Sequence, residues 1–308
     1  MDLTVKGRRE LDKRPNRRRW VRRLLVVLGL TIVVAVAGVY LAGSWLTAAA
    51  HSSVGPPPSD LNVEAVEFGT DAGSLVRGWY GPPQPGHGVV LLIHGIRGDR
   101  RQMLDRARFL QKQGFGVLLF DLHAHGESEG EQITFGIREA DSVNEALSYV
   151  IERAPGENIG VLGKSLGGAA ALLSDAATEA DALVIESVYT NVEKATSNRL
   201  AKYFGGVGRA GTFLLTAQLP RRLGIRKEDL CPMDAISDVR CPLFVLSGSE
   251  DRNTTEEDTR QLYAAACGPK ELWLVEGAGH VDLCDYAGLE YERRITAFFD
   301  EHIVQKSE

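Results

Sequence analysis

An α/β architecture, with a mostly parallel central sheet and helices on both faces, is predicted by three observations in this 308-residue sequence. Short apolar runs alternate with helical patterns from Val89 to His302, the order that produces parallel strands joined by crossover helices. Val89-Val90-Leu91-Leu92-Ile93 is apolar without interruption, as a central strand covered on both faces must be. Finally, Gly163-Lys164-Ser165-Leu166-Gly167 lies between an apolar run that begins at Ile159 and the small residues Gly168-Ala169-Ala170 of a helix. That pattern is a nucleophile elbow, in which a serine is thrust out of a sharp strand-to-helix turn and glycines give its strained backbone room.

The N-terminal part is organised differently. Residues 1–23 form a basic head with ten Lys/Arg against three Asp/Glu, whereas the rest of the chain carries 25 against 38. An acidic body argues against nucleic acid as a partner, because phosphate binding needs Lys/Arg clustered on the folded surface. Leu24 to Ala50 contains no charged residue, and residues 24–46 are long enough to cross a hydrocarbon core as a transmembrane helix. Arg17, Arg18, Arg19, Arg22 and Arg23 abut this run on one side, and the next cation on the other side is Arg77. The positive-inside rule therefore keeps the N-terminus cytoplasmic and puts everything after residue 50 outside the cytoplasmic (inner) membrane. A cleaved signal peptide is the alternative, since Ala48-Ala49-Ala50 offers a small-x-small site, but the apolar run exceeds a usual signal core and favours an uncleaved signal-anchor. Residues 47–60, with Gly55-Pro56-Pro57-Pro58, read as an extended linker, and residues 61–308 as the folded domain.

Within that domain, Asn62–Phe68 and Ser74–Tyr80 form an antiparallel hairpin around Gly69-Thr70-Asp71-Ala72-Gly73. Val89–Ile93 opens the parallel set. It is followed by a helix over Arg101–Gln113, a strand at Val117–Phe120 and a helix over Ile137–Arg153, whose Ile137, Ala140, Val143, Leu147 and Val150 recur at helical spacing. After the elbow come strands at Ala182–Ile185, Leu243–Leu246 and Leu272–Val275, the last two followed by helices over Glu256–Ala266 and Tyr286–His302. No strong strand occurs between Ser187 and Val239. Residues 188–238, with Phe204, Phe213, Leu214, Leu215 and Leu219 among glycines and basic residues, fit a small helical lid over the strand ends.

A serine hydroxyl is a poor nucleophile until a base takes its proton, so Ser165 requires a histidine, and that histidine an acid to orient it. The chain order for this turn type is Ser, then Asp or Glu, then His. Asp251 follows the strand Leu243–Leu246, with Glu250 as its rival, and His280 follows Leu272–Val275; both lie just past the carboxyl ends of parallel strands, where sheets of this class place their sites. Two backbone N–H groups must stabilise the tetrahedral oxyanion. One is expected from Leu166, directly after the nucleophile, and the other from Ile96 in the loop His94-Gly95-Ile96-Arg97-Gly98. His94 is expected to be structural, Asp121-Leu122-His123-Ala124-His125-Gly126-Glu127-Ser128 to shape a loop, and Lys164 to face solvent. No zinc spacing appears among the four cysteines and seven histidines, and neither metal nor cofactor is expected.

His94-Gly95, Asp121 with His125-Gly126-x-Ser128, Gly163-x-Ser165-x-Gly167, Gly248-x-x-Asp251 and Glu276-Gly277-Ala278-Gly279-His280 together resemble α/β-hydrolase-fold serine hydrolases. The likeness runs from about Asn62 to His302 and lies near the serine-aminopeptidase-like and membrane-associated depalmitoylase-like branches. It implies hydrolysis of an ester, thioester or amide through an acyl-enzyme. An N-terminal anchor in place of the depalmitoylases' cysteine-rich lipidated head puts a protein-acyl substrate in doubt. The reading is a membrane-anchored serine hydrolase acting on small-molecule or lipid carboxylic esters through Ser165, Asp251 and His280. A serine peptidase, or a catalytically silent binding module on the same fold, are the alternatives.

Cys231, Cys241, Cys267 and Cys284 would meet an oxidising compartment under this topology. Cys241 and Cys267 belong to the sheet edge opposite the site, Cys231 and Cys284 to the site's side, roughly 17–20 Å away across a strand of five or six residues. The expected pairs are therefore Cys241–Cys267 and Cys231–Cys284, with four buried free thiols as the alternative.

Overall fold

A computed structural model of the protein describes residues 17–69 and 73–305. Most of the basic head expected over residues 1–23, and Thr70-Asp71-Ala72 of the hairpin turn, lie outside the described residues. The chain divides into two compact units, Met1–Ala42 and Gly43–Glu308. The first consists, in its described part, of most of helix α1 (Arg17–Thr47). That helix is long and apolar enough to cross a bilayer, and its apolar window is not buried against protein. Its last turn, Gly43–Thr47, belongs to the second unit.

The second unit is an alternating α/β chain. In order come β1 (Ala50–His51), β2 (Glu64–Gly69), β3 (Leu75–Gly81), β4 (Val89–Ile93), α2 (Leu104–Lys112), β5 (Gly116–Phe120), β6 (His125–Gly126) and α3 (Ile137–Arg153). Next are β7 (Ile159–Lys164), α4 (Leu166–Leu172), α5 (Ala176–Glu179) and β8 (Ala182–Glu186). The lid follows as α6 (Val192–Thr216), α7 (Leu219–Leu223) and α8 (Pro232–Ala235), before β9 (Leu243–Gly248), α9 (Glu256–Ala265), β10 (Lys270–Val275), α10 (Leu283–Ala287) and α11 (Leu289–His302). Eight strands form one sheet in the order β10-β9-β8-β7-β4-β5-β3-β2. From β10 to β5 all neighbours are parallel; β3 alone runs against them, and β2, antiparallel to β3, shares the direction of the rest. This is the α/β-hydrolase fold.

The uninterrupted apolar run of β4 follows from burial on both faces. Val89, Leu91 and Ile93 pack with Val143, Leu147 and Val150 of α3 on one side, and Val90 and Leu92 pack with Leu110 of α2 and Phe299 of α11 on the other. The strand therefore cannot alternate apolar with polar, and its register is fixed by β5 and β7 on either side. The helix expected over Tyr286–His302 is two helices. Gly288, at φ 53°, breaks the chain between α10 and α11 in a conformation that other residues adopt only with strain. The helix expected over Arg101–Gln113 likewise begins as a 3₁₀ turn at Arg100–Met103, capped by the Asp99 carboxylate on the Arg101 N–H.

Residues 47–60 run extended along the second unit and are hydrogen-bonded to it. The Ile133 N–H donates to the Thr47 carbonyl at 2.9 Å, β1 pairs in parallel with β6, and Glu127 accepts from the Val54 N–H at 3.0 Å.

Leu91 is fully buried between β4's neighbours and α3. Leu91→Ala should cost about 2–5 kcal/mol, a fall of roughly 5–15 °C in the thermal midpoint for a domain of this size. Leu289→Ala, at a side chain 81% exposed, should leave the midpoint in place. Equal midpoints for the two variants of the full chain in detergent micelles would contradict this account of the core.

Candidate active site

Ser165 sits between β7 and α4 with φ 51° and ψ −111°, the positive-φ geometry expected of an elbow. Three glycines make that geometry possible. A Cβ on Gly163 would meet Gly168 Cα at 2.6 Å, one on Gly167 would meet the Ile93 carbonyl oxygen at 2.5 Å, and one on Gly168 would meet Val188 Cγ2 at 2.4 Å. The first turn of α4 is thus pressed onto the ends of β7 and β4, and the Ser165 N–H is tied to the Glu186 carbonyl at 2.7 Å.

The structure brings the other expected residues to this point. His280 Nδ1 lies 2.7 Å from Asp251 Oδ2, and both Ser165 and His280 line one cavity over the strand ends. No direct hydrogen bond joins Ser165 to His280 among the described residues, a spacing common before substrate closes a site. Asp251 is buried and held by the Asn253 and Thr254 N–H groups and the Thr254 hydroxyl, whereas its rival Glu250 is exposed. Burial raises the Asp251 carboxyl, but the His280 contact and the Thr254 bonds outweigh it and its pKa is lowered. Asp251 is therefore a carboxylate that can hold His280 with Nε2 free to take a proton.

Ile96 and Leu166 also line the cavity. Leu166 is the first residue of α4, so its N–H has no acceptor a turn back, and the Ile96 N–H makes no hydrogen bond among the described residues. His94 holds that loop in place: Nδ1 reaches the Gly95 carbonyl at 2.8 Å and Nε2 accepts from the Leu122 N–H at 3.0 Å. Its burial pushes the ring's pKa down to about 4, so it is a neutral structural group.

Apolar side chains dominate the rest of the cavity: Phe135, Val192, Leu200, Leu215 and Leu219, most of them from the lid. Gly43 and Leu46, in the last turn of α1, complete the wall. That turn is built into the second unit. Arg97, in the loop of Ile96, donates to the Trp45 carbonyl and lies 4.5 Å from the centre of the Trp45 ring, and Arg222 of α7 donates to Ser44 Oγ at 2.9 Å. Among the described residues no Asp or Glu lines the cavity, and Arg199 is its one strong cation.

Residues 84–216 match the family model described as serine aminopeptidase, S33. An uncharacterised protein of Mycobacterium tuberculosis (strain ATCC 25618 / H37Rv) is 30% identical over 237 residues, covering 75% of this chain and 78% of its own. The chain belongs to this α/β-hydrolase family. It is a serine hydrolase. The lysophosphatidylserine lipase ABHD12 of Danio rerio is 26% identical over 206 residues, 63% of this chain and 51% of that one. In three dimensions the hydrolase is similar to the Pyrococcus furiosus esterase Pf2001, with a TM-score of 0.65, 23% identity, and coverage of 82% of this chain and 98% of that one.

One part of the hydrolase's site went unseen in the sequence. Lys164, expected to face solvent, is half-buried with Nζ 2.6 Å from Asp282 Oδ2. Asp282 also accepts from Arg106 Nη2 at 3.0 Å, and Arg106 donates further to Glu186 at 2.8 Å and to the Tyr291 hydroxyl at 2.8 Å. This buried cluster ties the end of the elbow strand, the end of β8 and the loop that carries His280. Its members lie 80 to 185 residues apart for Arg106 alone, so no local spacing announces it; the nearest clue is an acid two residues past the histidine.

The loop Asp121–Ser128 is structural, as expected. Asp121 accepts from the Arg100 and Glu127 N–H groups, and Ser128 Oγ donates back to the Asp121 carbonyl at 2.7 Å. Burial lowers His123 to about 4 and His125 to about 3, and no metal-binding group of side chains occurs among the described residues. The expected disulfides are absent: all four cysteines are free thiols. Cys284 packs into the α11 face of the core, whereas Cys231 turns to the Thr190 carbonyl; Cys241 packs against the opposite face, and Cys267 turns outward to its own Ala265 carbonyl.

Burial would raise Asp282, yet Arg106 and Lys164 hold it down to about 2. A carboxylate depressed in the folded state stabilises above its unfolded pKa, here near 4, and loses that contribution as pH falls toward 2. The expected loss is about 2 kcal/mol between pH of about 4 and about 2. Asp282→Asn should be less stable at neutral pH and show a shallower decline across that window, measured by urea unfolding in detergent. Parallel pH profiles for the two chains would remove Asp282 from this role.

Proposed function

We propose that this hydrolase cleaves carboxylic esters, lipid esters foremost, through an acyl-enzyme on Ser165. His280 Nε2 takes the Ser165 proton as Oγ attacks the carbonyl carbon, and Asp251 holds the ring and stabilises the imidazolium that forms. The Ile96 and Leu166 N–H groups receive the oxyanion at the positive end of α4. Collapse expels the alcohol, which takes the proton from His280. Water then enters, loses a proton to His280 and releases the acid. The Asp251–His280 pair, with His280 and Ser165 lining one largely apolar cavity, carries this reading.

The walls favour an ester over an aminopeptidase substrate. A peptide's free ammonium needs a buried counter-charge, and the cavity offers none. Phe135, Leu200, Leu215 and Leu219 instead suit an acyl chain. The Danio rerio relative, a lysophosphatidylserine lipase, supports a lipid ester.

The apolar helix serves as an uncleaved anchor with the catalytic domain outside the cytoplasmic membrane. Cleavage after Ala50 would remove Gly43 and Leu46 from the cavity wall, Trp45 from Arg97 and Thr47 from the Ile133 N–H. A chain folded around those residues supports their retention.

Ser165→Ala should abolish hydrolysis of p-nitrophenyl esters and labelling by a fluorophosphonate while moving the thermal midpoint by only a few degrees. His280→Ala should be comparably damaging, and His123→Ala should not. Turnover by the serine variant, or the reverse order of the two histidines, would overturn these roles.

Protease added outside intact cytoplasmic membranes should digest the domain beyond Ser52 and spare the N-terminal arginines. The untreated chain should run at full length. A protected domain would reverse the orientation, and a chain fifty residues shorter would establish cleavage.

A further inference from the structure

Exposed apolar surface on the second unit is concentrated in one place. Outside α1 the described residues include nine exposed large hydrophobic side chains, and five of them, Tyr203, Phe204, Val207, Phe213 and Leu214, lie within twelve residues of α6. Four of those five are more than 65% exposed. A water-soluble surface rarely gathers such a patch without a partner.

Charge is concentrated in the same segment. Residues 192–229 carry eight Lys/Arg against three Asp/Glu, while the rest of residues 24–308 carries 17 against 35. The three lid acids are largely taken up by Lys227 on Glu193 and Arg226 on Asp229. Arg199, Lys202, Arg209 and Arg221 make no ion pair among the described residues, and all four are exposed. Long cationic stems beside bulky apolar groups are what a helix lying in a lipid headgroup layer presents.

The chain also ties this segment to the end of the apolar helix. Leu215 and Leu219 share the catalytic cavity with Gly43 and Leu46, and Arg222 bonds to Ser44, so the end of α6 and α7 touch the residues at which the apolar span ends. Phe213 and Leu214 immediately precede Leu215. Tyr203 to Val207 lie within a further roughly 18 Å even along a straight helix. Gly205, at φ 58° and ψ −140°, kinks α6 inside this patch, where an unbroken helix would carry the aromatic turn straight on.

We propose that α6 is a membrane-docking surface: Tyr203, Phe204, Val207, Phe213 and Leu214 enter the headgroup layer of the leaflet reached by α1, and Lys202 and Arg209 pair with anionic lipid phosphates. The cavity then opens against the bilayer, and its substrate is a long-chain ester drawn from that leaflet. The docking rests on the anchor reading, and the substrate on the ester reading.

The full-length protein is reconstituted in phosphatidylcholine vesicles with or without phosphatidylglycerol. Bimane is attached at Phe204→Cys, or at Glu152→Cys on the exposed side of α3, with Cys231, Cys241 and Cys267 replaced by serine. Nitroxide-labelled lipid should quench the first label and not the second, and more strongly with phosphatidylglycerol at low salt. Equal quenching at the two sites would overturn the docking, and indifference to the anionic lipid would overturn the role of Lys202 and Arg209. This reading needs no catalysis, so it stands apart from a failure of the ester assignment, which would show as no turnover of any ester by the wild type. In a second arm, Phe204→Asp/Val207→Asp and Lys202→Glu/Arg209→Glu should lower turnover of a vesicle-embedded long-chain ester at least about tenfold, since each charge near such a surface is worth roughly a factor of five. Soluble p-nitrophenyl butyrate should be hydrolysed as by the wild type, which also shows that the variants fold. Equal loss on both substrates, or loss on neither, would overturn the proposal.

Discussion

The site depends on one steric constraint, the absence of side chains at Gly163, Gly167 and Gly168. Ser165 holds a backbone conformation that costs of the order of 1–3 kcal/mol for a residue with a Cβ. It is kept there because α4 packs onto β7 and β4 with no space for even a methyl group at the three glycines. The strain and the packing serve the same end. They lift Oγ clear of the sheet, and they place the first N–H of α4 beside it, where the proposed reaction would develop negative charge.

Around that turn the remaining groups are held by electrostatics rather than by local sequence. Arg106 and Glu186 are buried together, and a buried ion pair earns little net stability unless its spare lone pairs and protons are filled. Here they are, by the Tyr291 hydroxyl and by Asp282, which in turn binds Lys164 and caps α10 through the Cys284 N–H. Such a cluster resists the sliding of one strand end against another. It ties the loop of His280 to the end of the serine's strand, since Lys164 immediately precedes Ser165 and Asp282 follows two residues after His280.

Much of this was legible in the sequence because it is local. The uninterrupted Val89–Ile93 announces two buried faces, Gly-x-Ser-x-Gly announces a strained turn, and Asp251 and His280 follow apolar runs that can only be strands. Ile137–Arg153 is a helix with the bounds its periodicity sets. What was not legible is what only tertiary proximity creates. Lys164 looked like a solvent-side residue because its partner stands 118 positions away. Strand direction alone puts the cysteines at two opposite levels of the sheet, but the surroundings of their side chains decide the matter, and those differ within each expected pair. Hydropathy read Leu24–Leu46 as one uniform span, since an apolar side chain suits lipid and a substrate cavity equally; only the fold separates Gly43 and Leu46 from the residues before them.

The last turn of α1 is continuous with the apolar helix and also lines the cavity. An ordinary anchor is joined to its domain by a slack tether, and the domain can then turn freely above the membrane. Here Trp45 is held by Arg97, Ser44 by Arg222 and Thr47 by Ile133 within the second unit, before the chain reaches its prolines. The loop of Ile96, a wall of the cavity and the end of the apolar helix therefore form one covalent and packed unit. The acidic remainder of the chain would be repelled by an anionic surface and residues 192–229 attracted to it, which is the polarity that the proposed docking of α6 requires.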